Sequence, residues 1–119
     1  MLKRAQFSAC YEHGTKYFSK LFVLFVRPRQ DDAPGLRIGL TVGKKVGNAV
    51  ARNRVKRVLR EYFRLRQEQF SCPADIVVVP KRTLDPKQLD LALAVGDLSP
   101  AMRRILRDAP RTQALAERS

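Results

Sequence analysis

The chain is poor in the residues on which most enzymes and metal scaffolds depend. It has one histidine, no tryptophan and two cysteines, Cys10 and Cys72. His13 stands beside a turn signal, Gly14, with no Ser/His/Asp or Cys/His arrangement around it, so capping or hydrogen bonding suits it better than general-base work. The cysteines lie far apart without CxxC spacing, which argues against a zinc site and a disulfide framework; both read as reduced thiols. Asp85, Asp90 and Asp97 lack metal-ligand spacing, and Asp31-Asp32 sits in a loop where paired acids serve turn geometry. There is no GxxxxGK[ST] loop and no Rossmann fingerprint. No apolar run approaches the roughly 18 residues of a membrane span, and Met1 to Ala9 lacks the apolar stretch of a secretory signal. A cytoplasmic chain, away from membranes, is the expectation. Acids are scarce as well: 11 Asp and Glu stand against 24 Lys and Arg, a formal net charge of +13 in 119 residues.

What is present is focused positive charge. From Lys44 to Arg66 nine Lys or Arg residues accompany a single acid, Glu61. Basic charge gathered on one ordered element suits a polyphosphate partner, RNA or DNA. At about 100° per residue, Val55, Val58, Leu59, Tyr62 and Phe63 share one side of a helix. Asn53, Lys56, Arg57, Arg60 and Arg64 fall roughly opposite, with Arg52 and Arg54 on the flanks. A purely solvated face would interleave Glu with Lys at i,i+4, and here only Glu61 does so. Asn48 is the expected N-cap after Gly47, the helix runs from about Ala49 to about Gln67, and Ser71-Cys72-Pro73 ends it. Lys44-Lys45 lead into the helix start, whose free N–H groups themselves favour phosphate.

The rest of the chain supplies a single domain over residues 1–110, with 111–119 as a frayed tail. Residues 4–13 form a short helix with Phe7, Cys10 and Tyr11 on one face, closed by Gly14 as a left-handed cap. Leu21 to Val26 is a buried strand, Pro28 to Gly35 the loop of an antiparallel hairpin, and Leu36 to Val42 its return strand. Asp75 to Pro80 is a further apolar strand. Leu89–Val95 and Met102–Leu106 are helix candidates separated by Gly96 to Pro100. The fold class is therefore α+β, a small mixed sheet packed against helices in the order α-β-β-α-β-α. Phe7, Tyr11, Phe18 and Phe22 are candidates for a platform on which unpaired bases stack; ordinary core packing is the alternative, and it is preferred for Phe22 and Phe25.

The run from Lys44 through Arg52-Asn53-Arg54 to Arg57 closely resembles the arginine-asparagine-arginine signature of the bacterial ribonuclease P protein family. Arg4, Phe7, Tyr11-Glu12-His13-Gly14, the strand Phe22–Val26, Arg37–Val42 and Asp75–Val79 follow in the family's order. The resemblance covers about residues 4–80. It implies a fold like domain 2 of ribosomal protein S5, with a left-handed βαβ crossover that general topology rules would not anticipate. It also implies the non-catalytic protein subunit of an RNA-based endoribonuclease that removes 5′ leaders from precursor tRNA. Lys44, Lys45, Arg52, Asn53, Arg54, Lys56, Arg57, Arg60 and Arg64 would contact the catalytic RNA; Phe7, Tyr11, Phe18 and Phe22 would line the leader cleft. Mg²⁺ would be bound mainly by the RNA. The implied partners are the catalytic RNA and precursor tRNA, with no protein partner required. The segment from Leu84 to Ser119 is longer and more broken than the family's last helix. A ribosomal or ribosome-assembly protein is the rival reading; a major-groove DNA regulator lacks the preceding helix of a helix-turn-helix, and a free-standing nuclease lacks acidic or His ligands.

Overall fold

The computed structural model describes residues 4–28, 36–66 and 73–118, with side chains as far as Asp108. Elements follow as α1 (Arg4–His13), β1 (Thr15–Phe18), β2 (Phe22–Pro28), β3 (Leu36–Leu40), α2 (Ala49–Arg66), β4 (Ala74–Pro80) and α3 (Leu91–Arg118). The strands form one sheet in the order β1-β2-β4-β3, with β3 and β4 parallel and the other pairs antiparallel. The class is the α+β fold expected, and β3–α2–β4 is its parallel crossover.

The expected hairpin between β2 and β3 does not form, because β4 lies between them. The reason is visible in β4 itself: Ala74 to Val78 are all buried, so this strand needs cover on both faces and neighbours on both edges. β1 has no counterpart among the expected elements. Thr15-Lys16-Tyr17-Phe18 carries little apolar signal because it is an edge strand, largely exposed. The loop assigned to Pro28–Gly35 and the helix stop at Ser71-Cys72 lie mostly outside the described residues.

Alternation along the strands splits the sheet into two unlike faces. Phe22, Leu24, Val26, Leu36, Ile76 and Val78 meet Val55, Leu59, Tyr62 and Phe63 of α2 and Leu98, Ala101, Met102 and Ile105 of α3 in the main core. Each large side chain fully buried there contributes about 1.5–3 kcal/mol. The other face holds a small cluster: Cys10 and Val77 are buried, with Phe7, Phe25 and Val79 packed against them. The register aligns Lys16, Phe25, Val77 and Gly39 in one row, and Phe18, Val23 and Val79 in the next. α1 covers the first row and leaves much of the second open.

Two local expectations are corrected. Gly14 is not a left-handed cap, since Gly47 alone has positive φ among the described residues. Glycine is needed at 14 because a Cβ would run into the Cys10 carbonyl, to which the Gly14 N–H donates at 2.9 Å. The two C-terminal helix candidates are one helix. Asp90 caps it, its Oδ1 accepting the Leu93 N–H at 2.8 Å. α3 then passes through Gly96 and Pro100, where Pro100 brings no N–H to the Gly96 carbonyl one turn earlier. The burial of Ala94, Leu98, Ala101, Met102 and Ile105 holds the helix together across that lost bond. Its backbone is helical to Arg118, through the segment expected to fray.

Candidate nucleic-acid interface

The start of α2 is set by backbone chemistry. Gly47 has φ +150°, and a Cβ there would stand 3.0 Å from the Ala51 Cβ. Asn48 is the N-cap as expected: its Oδ1 accepts the Ala51 N–H at 2.9 Å, and its carbonyl accepts the Arg52 N–H at 2.9 Å. The preceding turn leaves Lys44 and Lys45 exposed beside this positive helix end.

Along α2 the basic residues stay on the side away from the sheet. Asn53, Arg57, Arg60 and Arg64 line a shallow depression together with Glu61. Their i, i+4, i+7, i+11 spacing makes a stripe about 16 Å long at the rise of an α-helix. Arg64 is held by Glu61 through two hydrogen bonds of 2.6 and 3.1 Å, and this pairing lowers the Glu61 pKa. Among the described residues Lys56, Arg57 and Arg60 make no ion pair. Arg52 has its Nε buried without a hydrogen-bond partner among the described residues. Arg54 points to the opposite flank, donating from Nε to the Leu89 carbonyl at 3.1 Å and bracing α2 against the segment before α3.

The second part of the site is the cleft between α1 and the open sheet face. Tyr11 is 41% exposed, shares a 2.6 Å hydrogen bond with Thr41 Oγ1, and meets Phe25 edge-on at 4.9 Å. Phe7 packs half-buried beside it. Phe18 is 54% exposed and pairs with Val23 on the same face. Phe22 is corrected: it is fully buried in the main core on the opposite face, out of reach of any base. Phe25, read from the sequence as core, takes its place on the cleft face, with Lys16 Nζ 5.6 Å from its ring centroid. Beyond α1, Val23 and Val79 floor a groove walled by Lys45, Val46, Pro80, Lys81, Arg82 and Leu84. Lys81 and Arg82 are not among the expected site residues, although two cations directly after an apolar strand are a visible signal.

Beneath the cleft, Asp75 anchors the sheet. It is 1% exposed and takes two hydrogen bonds from Arg37, 2.8 Å from Nε and 3.1 Å from Nη2. Burial, then the nearby Asp75 charge, raises the Cys10 pKa, so this thiol is held protonated inside the α1–sheet contact. Cys72 lies outside the described residues. His13 is exposed at the end of α1, 3.7 Å from Glu12.

A helix with Lys56, Arg57 and Arg60 free of ion pairs among the described residues, set beside a cleft with exposed aromatics, defines a class of basic protein whose surface suits a polyanion. Comparison with known proteins gives the class its family. The ribonuclease P family model matches residues 1–109. The chain is 52% identical over 105 residues to the ribonuclease P protein component of Oleidesulfovibrio alaskensis, covering 88% of this chain and 84% of that protein. It is 46% identical over 115 residues to that of Desulfovibrio desulfuricans, covering 95% and 87%. Among solved structures, the Staphylococcus aureus RNase P protein superposes with TM-score 0.76 at 27% identity, covering 88% of this chain and 93% of that one. The Thermotoga maritima protein gives 0.77 at 27% identity, covering 87% and 94%. The chain belongs to the ribonuclease P protein family, whose members work with a catalytic RNA in the ribonucleoprotein that matures tRNA 5′ ends. The ribosomal reading is thereby set aside.

Proposed function

We propose that the exposed stripe of α2 docks on the catalytic RNA while the α1–sheet cleft holds the single-stranded 5′ leader of precursor tRNA. The observation that carries this is the division of labour in the geometry: Lys56, Arg57 and Arg60 lie on α2 without ion pairs among the described residues, while Tyr11, Phe25 and Phe18 come from α1, β2 and β1 around the cleft. Lys44, Lys45, Arg52, Asn53 and Arg64 extend the RNA-facing surface, and Arg54 contributes from its flank. Residues 1–110 act as one RNA-binding unit.

The physical role follows from charge. Catalytic RNA and precursor tRNA repel each other, and a +13 protein at their junction lowers that repulsion, most of all when divalent cations are scarce. Stacking and phosphate contacts in the cleft distinguish precursor from mature tRNA without strict reading of sequence. Among the described residues no three of His, Cys, Asp or Glu converge as metal donors. In this reading the catalytic Mg²⁺ is held mainly by the RNA. Among the described residues no helix is long and apolar enough to cross a membrane; work in the cytoplasm, where tRNA precursors are made, fits this reading.

Reconstituted cleavage of a 5′-extended precursor tRNA at low Mg²⁺ tests the proposal. The catalytic RNA is assayed with and without the protein, next to the protein alone. Faster cleavage in the mixture, with none by the protein alone, is the expected result. A mixture no faster than the RNA alone rejects the proposal.

A further inference from the structure

The groove on the open sheet face does not end where α1 stops covering it. Lys81 lines it and also lines a second depression on the far side, formed with Phe18, Lys20, Gly96, Pro100 and Arg104. The two hollows therefore share a wall and run on from one another across the end of the sheet. In the second hollow the Phe18 ring is 54% exposed, with Lys81 Nζ 5.5 Å from its centroid. Arg104 reaches over from α3 and donates to the Phe18 carbonyl at 2.5 Å, which fixes a guanidinium at the end of β1. Lys81 Nζ likewise donates to the Ser19 carbonyl at 2.5 Å. The one acid there, Asp97, is turned into the β1–β2 turn, accepting from Ser19 Oγ at 2.7 Å and from the Lys20 and Leu21 N–H groups at 3.1 and 3.2 Å. The hollow thus offers an exposed aromatic ring among cations. Those groups answer the base and phosphate of a nucleotide.

We infer that the leader track continues past the α1 cleft onto Phe18, Lys20 and Arg104, so that nucleotides far from the cleavage site are held by β1 and α3. This rests on the leader reading above. The α2 stripe faces the catalytic RNA, so the leader enters at the Lys45 end, and Phe18 and Arg104 meet its outer part. The four strands span about 14 Å between those ends.

The test uses the holoenzyme with precursor tRNAs carrying leaders of roughly three and roughly ten nucleotides, binding being measured at fixed salt. Phe18→Ala and Arg104→Gln should each weaken binding of the long-leader substrate about five- to tenfold, the size of one lost stacking or phosphate contact. For Arg104→Gln, short-leader binding and affinity for the catalytic RNA should stay unchanged, and Arg104→Lys should recover part of the loss. Phe18 and Arg104 are exposed, and unchanged circular dichroism and RNA-subunit affinity guard against misfolding. Equal losses for both leaders in Arg104→Gln, or none for either, overturn the extension while leaving the cleft reading intact. A wild-type holoenzyme indifferent to any leader overturns both.

Discussion

Arg57 and Arg60 give the sharpest test of how α2 works. Both are exposed, neither makes an ion pair among the described residues, and neither touches the core. Replacing either with Ala should leave folding stability within about 0.5 kcal/mol. Each loses a charge-assisted contact to RNA, and each should therefore weaken binding to the catalytic RNA by about 1–3 kcal/mol. The salt dependence separates a phosphate contact from an indirect effect. Each phosphate-neutralising side chain removed should lower the slope of log K against log salt by about 0.7–0.9. Glu61→Gln should act in the opposite direction, since it takes away the ion pair and one of the two acceptor oxygens that hold Arg64 and removes the single acid of α2. Filter-binding titrations of wild type, Arg57→Ala, Arg60→Ala and Glu61→Gln across a salt series provide the measurement, with urea unfolding as control. Unchanged affinity and slope in both arginine variants, or weaker binding in Glu61→Gln, would refute the reasoning.

Three further outcomes follow from single features of the fold. Asp75→Asn should destabilise the protein by about 2–3 kcal/mol in urea unfolding, because the Arg37 guanidinium loses the buried carboxylate it grips with two bonds. Gly47→Ala should cost about 1–2 kcal/mol, since alanine disfavours φ +150° and its Cβ crowds Ala51; weaker RNA binding should accompany it as the α2 start shifts. Tyr17 has its pKa pushed up to about 12 by burial and by its hydrogen bond to Asp108. The folded state thus holds this proton more tightly than the unfolded chain, whose tyrosine titrates near 10. The resulting stabilisation is complete below about pH 10 and is lost as pH rises towards 12. Tyr17→Phe should flatten that alkaline fall in unfolding free energy, and an unaltered pH profile counts against the assignment.

The chain alone determined the parts of this protein that rest on local chemistry. The α2 helix, its Asn48 cap, its buried stripe and its basic stripe all follow from spacing, because helical periodicity and capping act within a few residues. The same holds for α1 and its Phe7, Cys10 and Tyr11 face. Strand order was not legible, since β4 enters between β2 and β3 from more than thirty residues away, and pairing is decided by which strand is apolar on both faces. The fate of the aromatics was equally hidden. Phe22 and Phe25 look alike in the sequence, yet the pleat sends one into the core and the other to the cleft. α3 was misread because its breaker signals, Gly96 and Pro100, are local, whereas the contacts that override them come from α2 and the sheet. The groove from Lys45 to Arg104 gathers residues from the α2 approach, three strands and α3, so only the tertiary structure brought them together.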